Sequence, residues 1–170
     1  PQRAGVSSCI GDIGSHAENL ARYITGLELE EICADLTTFV QGRLLEDDGN
    51  ILVGFQGGAR GILHASQISV GEENDLNIRV YGTKASLKWR QEEPNAMIVR
   101  QNGEPHKIYS RDPNAPHMNE SGQAACRLPA GHPEAFFEAF ANVYRSAFDD
   151  IAKVANGQEI DRVNTVYPNV

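Results

Sequence analysis

The apolar positions divide the chain into a helix, a run of short strands and a second helix. Ile13, Ala17, Leu20, Ala21 and Ile24 recur at the spacing of one buried helical stripe. They predict a helix from Ser8 to Gly26. Ser7 or Ser8 can satisfy a free amide of its first turn, and Gly26 suits the left-handed residue after a helix. Residues 29–40 are rich in β-formers and end in polar turn chemistry, Glu46-Asp47-Asp48-Gly49-Asn50. Residues 51–55 and 61–68 flank a glycine-supplied hairpin connection, Gln56-Gly57-Gly58-Ala59-Arg60. Residues 76–81 alternate, which buries one face, and Gly82-Thr83-Lys84 turns the chain into residues 85–89. Two more short strands, 96–100 and 106–109, are separated by Asn102-Gly103.

Residues 111–132 have no period and hold Pro113, Pro116, Gly122, Pro129 and Gly131, so they read as one long loop. Loops above about 12–15 residues are usually functional or disordered. The second helix is expected from His132-Pro133-Glu134, with proline at the first helical position and the acid at the positive end, to a stop near Gly157. Phe136, Phe137, Phe140, Val143, Tyr144, Ala147, Phe148 and Ile151 form its broad apolar face. Helix, six or seven strands, then helix predicts an α+β fold, an open and largely antiparallel β-sheet with helices packed on one face.

With 170 residues the chain can bury the core of one domain, so residues 1–170 read as a single domain. Fifteen basic against 23 acidic residues give a net charge of −8, which argues against nucleic acid as a partner. No apolar run approaches the roughly 20 residues that span a bilayer, and no secretory signal pattern appears, so no membrane partner is expected. Cys9, Cys33 and Cys126 are odd in number and far apart, which fits reduced thiols in a cytoplasmic protein better than disulfides or structural zinc. The start at Pro1 and the stop at Tyr167-Pro168-Asn169-Val170 read as cuts within a longer chain.

The most pointed chemistry is Gly11-Asp12-Ile13-Gly14-Ser15-His16. Four apart on a helix, Asp12 and His16 are neighbours on one face, together with Asn19 and Tyr23. The positive helix end disfavours an imidazolium. A neutral His16 can accept a proton while Asp12 orients it and stabilises the charge it gains. The plain alternative is a dipole-complementing acid and a histidine on a polar face. A metal is a third reading, but no spacing fixes another ligand among His64, His106, His117 and His132, so none is assigned. No Gly-x-Ser-x-Gly supports a hydrolase, and no Gly-x-Gly-x-x-Gly offers a dinucleotide fingerprint.

Four stretches in order resemble the C-terminal domain of the Gfo/Idh/MocA oxidoreductases, the family of glucose–fructose oxidoreductase and inositol dehydrogenase. They run from Gly11 to Leu20, from Phe55 to Gly61 with His64-Ala65-Ser66-Gln67, from Val80 to Leu87, and from Pro129 to Glu134 continuing in Ala139 to Tyr144. The resemblance implies a two-domain enzyme whose N-terminal Rossmann domain, absent from this chain, binds NAD or NADP. It also implies a final C-terminal helix cut off after Val170. The family's catalytic aspartate and histidine match Asp12 and His16, while its lysine belongs to the absent domain, so no lysine of this chain takes that role. The implied reaction moves hydride from a secondary alcohol of a sugar or cyclic polyol to nicotinamide, with His16 as base. A non-catalytic oligomerisation module of the same fold is the competing reading.

The resemblance implies that Ile13, beside Asp12, lines the substrate pocket; Cys9 is a further substrate-binding candidate that reads equally as an inert buried thiol. Asn74, which also reads as an ordinary residue of the turn Glu72-Glu73-Asn74-Asp75, and His132 beside the long loop, which reads equally as a plain cap-position histidine, complete the set. Arg127 could bind an anion or pair with an acid. Trp89 and Tyr81 read as sheet-packing residues. A sheet covered on one face leaves Ile62, Ile68 and Tyr81, or their alternates, for another subunit, and the family likewise tends to oligomerise through that sheet, so a homo-oligomer is expected.

Overall fold

A computed structural model describes residues 5–161; the readings placed on Pro1 and on Tyr167-Pro168-Asn169-Val170 lie outside them. The chain divides between Glu92 and Glu93 into two compact units.

The first unit opens with a π-helical turn, Ile10–Gly14, that runs directly into α1, Ser15–Thr25. Gly26 ends α1 in the left-handed region, at φ 66°, where a residue without a β-carbon is least strained. The predicted helix is therefore present, but its first turn is widened by one residue. Three antiparallel strands follow in meander order, β1 (Leu29–Thr37), β2 (Asp48–Phe55) and β3 (Arg60–Ser66). β4 (Asn77–Tyr81) and β5 (Ser86–Arg90) then form an antiparallel hairpin. Gly57 and Gly58, at φ 85° and 90°, make the tight β2–β3 connection as their sequence suggested.

Register assigns every side chain of the meander to a face. Ile51, Val53 and Phe55 point inward and form the buried core, against which Ile10, Ala21, Leu27, Leu29 and Leu63 pack. Gly49, on the same inward face, lets the helix start come close: a β-carbon there would run into Ile10 Cδ1 and lie 3.1 Å from Leu36 Cδ2. The opposite face carries the row Cys33–Leu52–Ile62, with Leu52 59% and Ile62 78% exposed, so this apolar row is uncovered. Tyr81 is exposed too, not packed into a sheet.

The segment Glu46-Asp47-Asp48-Gly49-Asn50 is not the solvated turn its polarity suggests. β2 begins at Asp48, and Asp47 is fully buried, accepting from the amides of Phe39 (2.8 Å) and Val40 (3.0 Å) and from Arg43 Nη1 (3.3 Å). Asp47 thus closes the β1–β2 connection from inside. The Phe39 amide bond leads the effects that hold its carboxyl below the ordinary range, outweighing burial.

In the second unit β6 (Ala96–Arg100) and β7 (Lys107–Ser110) pair antiparallel. The supposed loop 111–132 contains a short helix, α2 (Glu120–Ala125), capped by Asn119 Oδ1 on the Gly122 amide at 2.8 Å. The aperiodic, glycine-bearing sequence hid it. α3 spans Phe136–Ala155, starting later than Pro133. Glu134 is no dipole-complementing acid: it is buried, accepts from the amides of Arg127 (2.8 Å) and Leu128 (2.5 Å), and pairs with Arg111 at 3.0 Å. Glu138 takes the place at the helix start, accepting from the Ala135 amide at 2.9 Å. Arg111 also donates to Asn95 Oδ1 and to the carbonyls of Leu128, Pro129 and His132, which fixes the loop before α3.

The close approach at Gly49 gives a direct test. Gly49→Ala should cost about 1–3 kcal/mol, as overpacking does. Ile10→Val, which removes the colliding methyl, should recover part of that loss in the Gly49→Ala background. Chemical denaturation of the four-member cycle measures both.

Candidate active site

The helix that carries Asp12 and His16 is fastened at its start. Glu46 Oε1 accepts from Ser7 Oγ at 2.6 Å, from the Ser8 amide at 2.8 Å and from the Ile10 amide at 3.2 Å. The Glu46 carbonyl takes the Cys9 amide at 3.3 Å, and Ser7 Oγ in turn accepts from the Gly11 amide at 2.9 Å. These amides are the ones a helix start leaves without partners. Burial raises the Glu46 carboxyl, but the bonds from Ser7, Ser8 and Ile10 outweigh it, and its pKa lies below the ordinary value. A carboxylate therefore meets the positive helix end that the sequence suggested was free to act on His16.

Cys9 resolves to the inert alternative. It is fully buried and gives its S–H to the Ala65 carbonyl at 2.9 Å. Burial first, then the charges of Glu46 and Asp48, push its thiol up. It pins the helix start to β3 and does not line an open pocket.

The π turn has a local cause. The Ser15 amide reaches back five residues to the Ile10 carbonyl, and the Ser15 hydroxyl takes the Gly11 carbonyl at 3.0 Å, which that amide would hold in an α-helix. Gly14 is buried against Ile10, where a β-carbon would sit 3.2 Å from Ile10 Cγ2.

Asp12, His16, Asn19 and Tyr23 are all exposed, Asp12 on the π turn and the other three on α1. Neither the Asp12 nor the His16 side chain has a hydrogen bond or ion pair among the described residues, so both are open to a ligand. Asp12 also borders a shallow depression of about 460 Å³, lined by Val6, Ser7, Ser8, Gly11, Asp12 and Gln67. Ile13 is half-buried beside it.

The other candidates lie elsewhere. Asn74 is exposed in the loop before β4, next to Asp75, whose backbone amide is held by Glu92 at 2.6 Å. His132 and Arg127 belong to the second unit. His132 is exposed with Nδ1 3.3 Å from the Ala130 carbonyl, and Arg127 Nε donates to Asn142 Oδ1 at 3.1 Å. His64 lies 3.2 Å from Asp48, and among the described residues no three His, Cys, Asp or Glu gather as metal ligands. Nor is any described helix long and apolar enough to cross a membrane.

The sequence reading missed Glu46, Ser7's double role, Gln67 and Arg111. The only signal for Glu46 was its place two residues before a β-alternating segment.

With this geometry in view, comparison with known proteins places the chain. The family model of the GFO/IDH/MocA C-terminal domain matches residues 2–88. The Bacillus subtilis (strain 168) protein named "Uncharacterized oxidoreductase YfiI" is 33% identical over 173 aligned positions, covering 100% of this chain and 43% of that protein. Among solved structures, an oxidoreductase from Sinorhizobium meliloti is 39% identical with TM-score 0.83, covering 95% of this chain and 45% of that one. An inositol dehydrogenase homologue from Azotobacter vinelandii, complexed with NADH and myo-inositol, is 30% identical with TM-score 0.85, covering 91% of this chain and 41% of that one. The fold is that of a C-terminal oxidoreductase domain. The chain belongs to the Gfo/Idh/MocA family, and it spans less than half the length of these relatives.

The depressed Glu46 carboxyl fixes a sign. Its contribution is fully present above the ordinary carboxylate pKa and is lost as pH falls through the lower folded value. Glu46→Gln should therefore lose more stability at pH 7 than at pH 3. Urea midpoints of both proteins at the two pH values read the difference.

Proposed function

We propose that the chain is the substrate-side domain of a nicotinamide-dependent dehydrogenase that oxidises a secondary alcohol of a sugar or cyclic polyol. One observation carries this reading: Asp12 and His16 stand four apart on an exposed helix face, unpartnered, on a start that Glu46 and Cys9 hold in place. Family membership and the NADH and myo-inositol complex of the Azotobacter homologue support it.

The chain's own residues do not fit a dinucleotide. The strand pairs β1–β2, β2–β3, β4–β5 and β6–β7 are antiparallel, and among the described residues no glycine-rich turn joins a strand to a helix in the way that cradles a pyrophosphate. The proposal therefore assigns NAD or NADP to a segment outside this chain, where the cofactor supplies the hydride acceptor. What remains here is the proton. His16, in its neutral form, takes the proton of the substrate hydroxyl, and in the reverse direction returns it to the carbonyl oxygen. Asp12, four residues earlier, is assigned the role of orienting the imidazole and stabilising the charge it acquires. Ile13 supplies an apolar wall beside them. Asn74 is offered as a further polar contact to the ligand. The uncovered row Cys33–Leu52–Ile62 supports assembly of like copies through the outer sheet face.

In the full-length protein, His16→Ala should lower kcat by about 10²–10⁴-fold, the range of acid–base groups, with binding of the alcohol retained. Normal turnover of cofactor and substrate by that variant would remove the base from the reading. Ile62→Glu should shift the protein to a smaller species in sedimentation velocity; an unchanged species would place the interface elsewhere.

A further inference from the structure

The depression beside Asp12 contains a residue that none of the reading above uses. Gln67 follows β3, and its backbone amide is held by the Asp47 carbonyl at 2.8 Å. Its side chain is exposed, and Oε1 accepts from the Ser8 hydroxyl at 3.3 Å. That bond leaves the two N–H groups of the amide without a partner among the described residues. The same depression is lined by Asp12, whose side chain is equally unpartnered and offers acceptor oxygens.

A donor and an acceptor lining one depression match a hydroxyl, which can accept from Gln67 and donate to Asp12. Charge narrows the class. Asp12 is the only acidic or basic side chain among the described lining residues, and the Glu46 carboxylate lies directly behind Ser7 and Ser8. No arginine or lysine is among them. A carboxylate or phosphate on the ligand would meet like charge with no described cation to offset it, whereas an uncharged polyol would not.

We propose that Gln67, held by Ser8, is a hydroxyl-binding residue of the depression beside Asp12, and that the depression selects uncharged polyhydroxy ligands over sugar acids. This rests on the dehydrogenase reading of Asp12 and His16. Gln67 fixes where the substrate lies and takes no part in proton transfer, so its loss acts on ground-state binding.

The test uses the full-length protein, with myo-inositol and D-glucose as neutral probes and D-glucuronate as the acid. Gln67→Ala should raise KM for the neutral probe that is turned over by about tenfold, the scale of one lost hydrogen bond. Its kcat should stay within about twofold, the pattern of lost uniform binding. Its melting temperature should match that of the unaltered protein, which separates binding from folding. Gln67→Glu keeps the size but removes the donors, and should weaken neutral probes at least as much. Calorimetric titration of the His16→Ala protein reads probe binding without turnover. An unchanged KM and Kd in Gln67→Ala would overturn the assignment, as would tighter binding of glucuronate than of either neutral probe, or failure of both neutral probes to bind. Neutral probes bound through Gln67 but never oxidised would instead sink the dehydrogenase reading and leave the binding residue standing.

Discussion

One carboxylate sits beneath the helix on which the candidate chemistry depends. Glu46 gathers the hydroxyl of Ser7 and the amides of Ser8 and Ile10 onto a single oxygen, away from bulk water. Unmatched donors at a helix start are costly when buried. Here they become the attachment between the first helix and the β1–β2 connection. Cys9 adds a second attachment on β3, and Gly49 leaves room for both by letting Ile10 settle on the sheet. Asp12 follows two residues after the last of these anchors. Its position is thus set by the sheet and not by the helix alone.

The same arrangement divides polar groups into two kinds. Glu46, Asp47 and Glu134 are buried acids that accept from backbone amides, joined by the Ser7 hydroxyl at Glu46, Arg43 at Asp47 and Arg111 at Glu134. Asp12 and Gln67 keep free hydrogen-bonding capacity at the surface, and His16 keeps an unpartnered ring. Satisfied groups hold a fold together, whereas unsatisfied exposed ones remain available to a ligand. That contrast within one short stretch distinguishes the Asp12–His16 face from the many other charged positions of an acidic protein.

Much of this was legible in the sequence. Glycine marked the end of α1 and the β2–β3 turn, and β-former content, turn residues and, over 76–81, alternation located the seven described strands to within a few residues. What could not be read depends on contacts far apart in the chain. Glu46 lies 38 positions from Ser8, and Asn95 lies 39 from Glu134, so neither acid could be told from a solvated one by its neighbours. The polarity of Glu46-Asp47 suggested water, while tertiary contacts supplied amides. α2 escaped notice because a helix of six residues shows too little periodicity to detect. The π turn left no periodic trace either, since a single extra residue at a helix start looks like an ordinary first turn.

That extra residue has a consequence of phase. Each residue of an α-helix advances the direction of its side chain by about 100°. With the widened turn, residues 7–10 can aim their bonds down at the sheet while residues 12–23 turn their polar edge outward. A regular helix with the same anchors would rotate that edge by about a quarter turn or more, carrying the imidazole toward the flank of the sheet. The segment therefore has no slack for growth: one more residue between Cys9 and Ser15 would force a choice between keeping the anchors and keeping the outward edge, whereas deleting one would let a regular helix keep both.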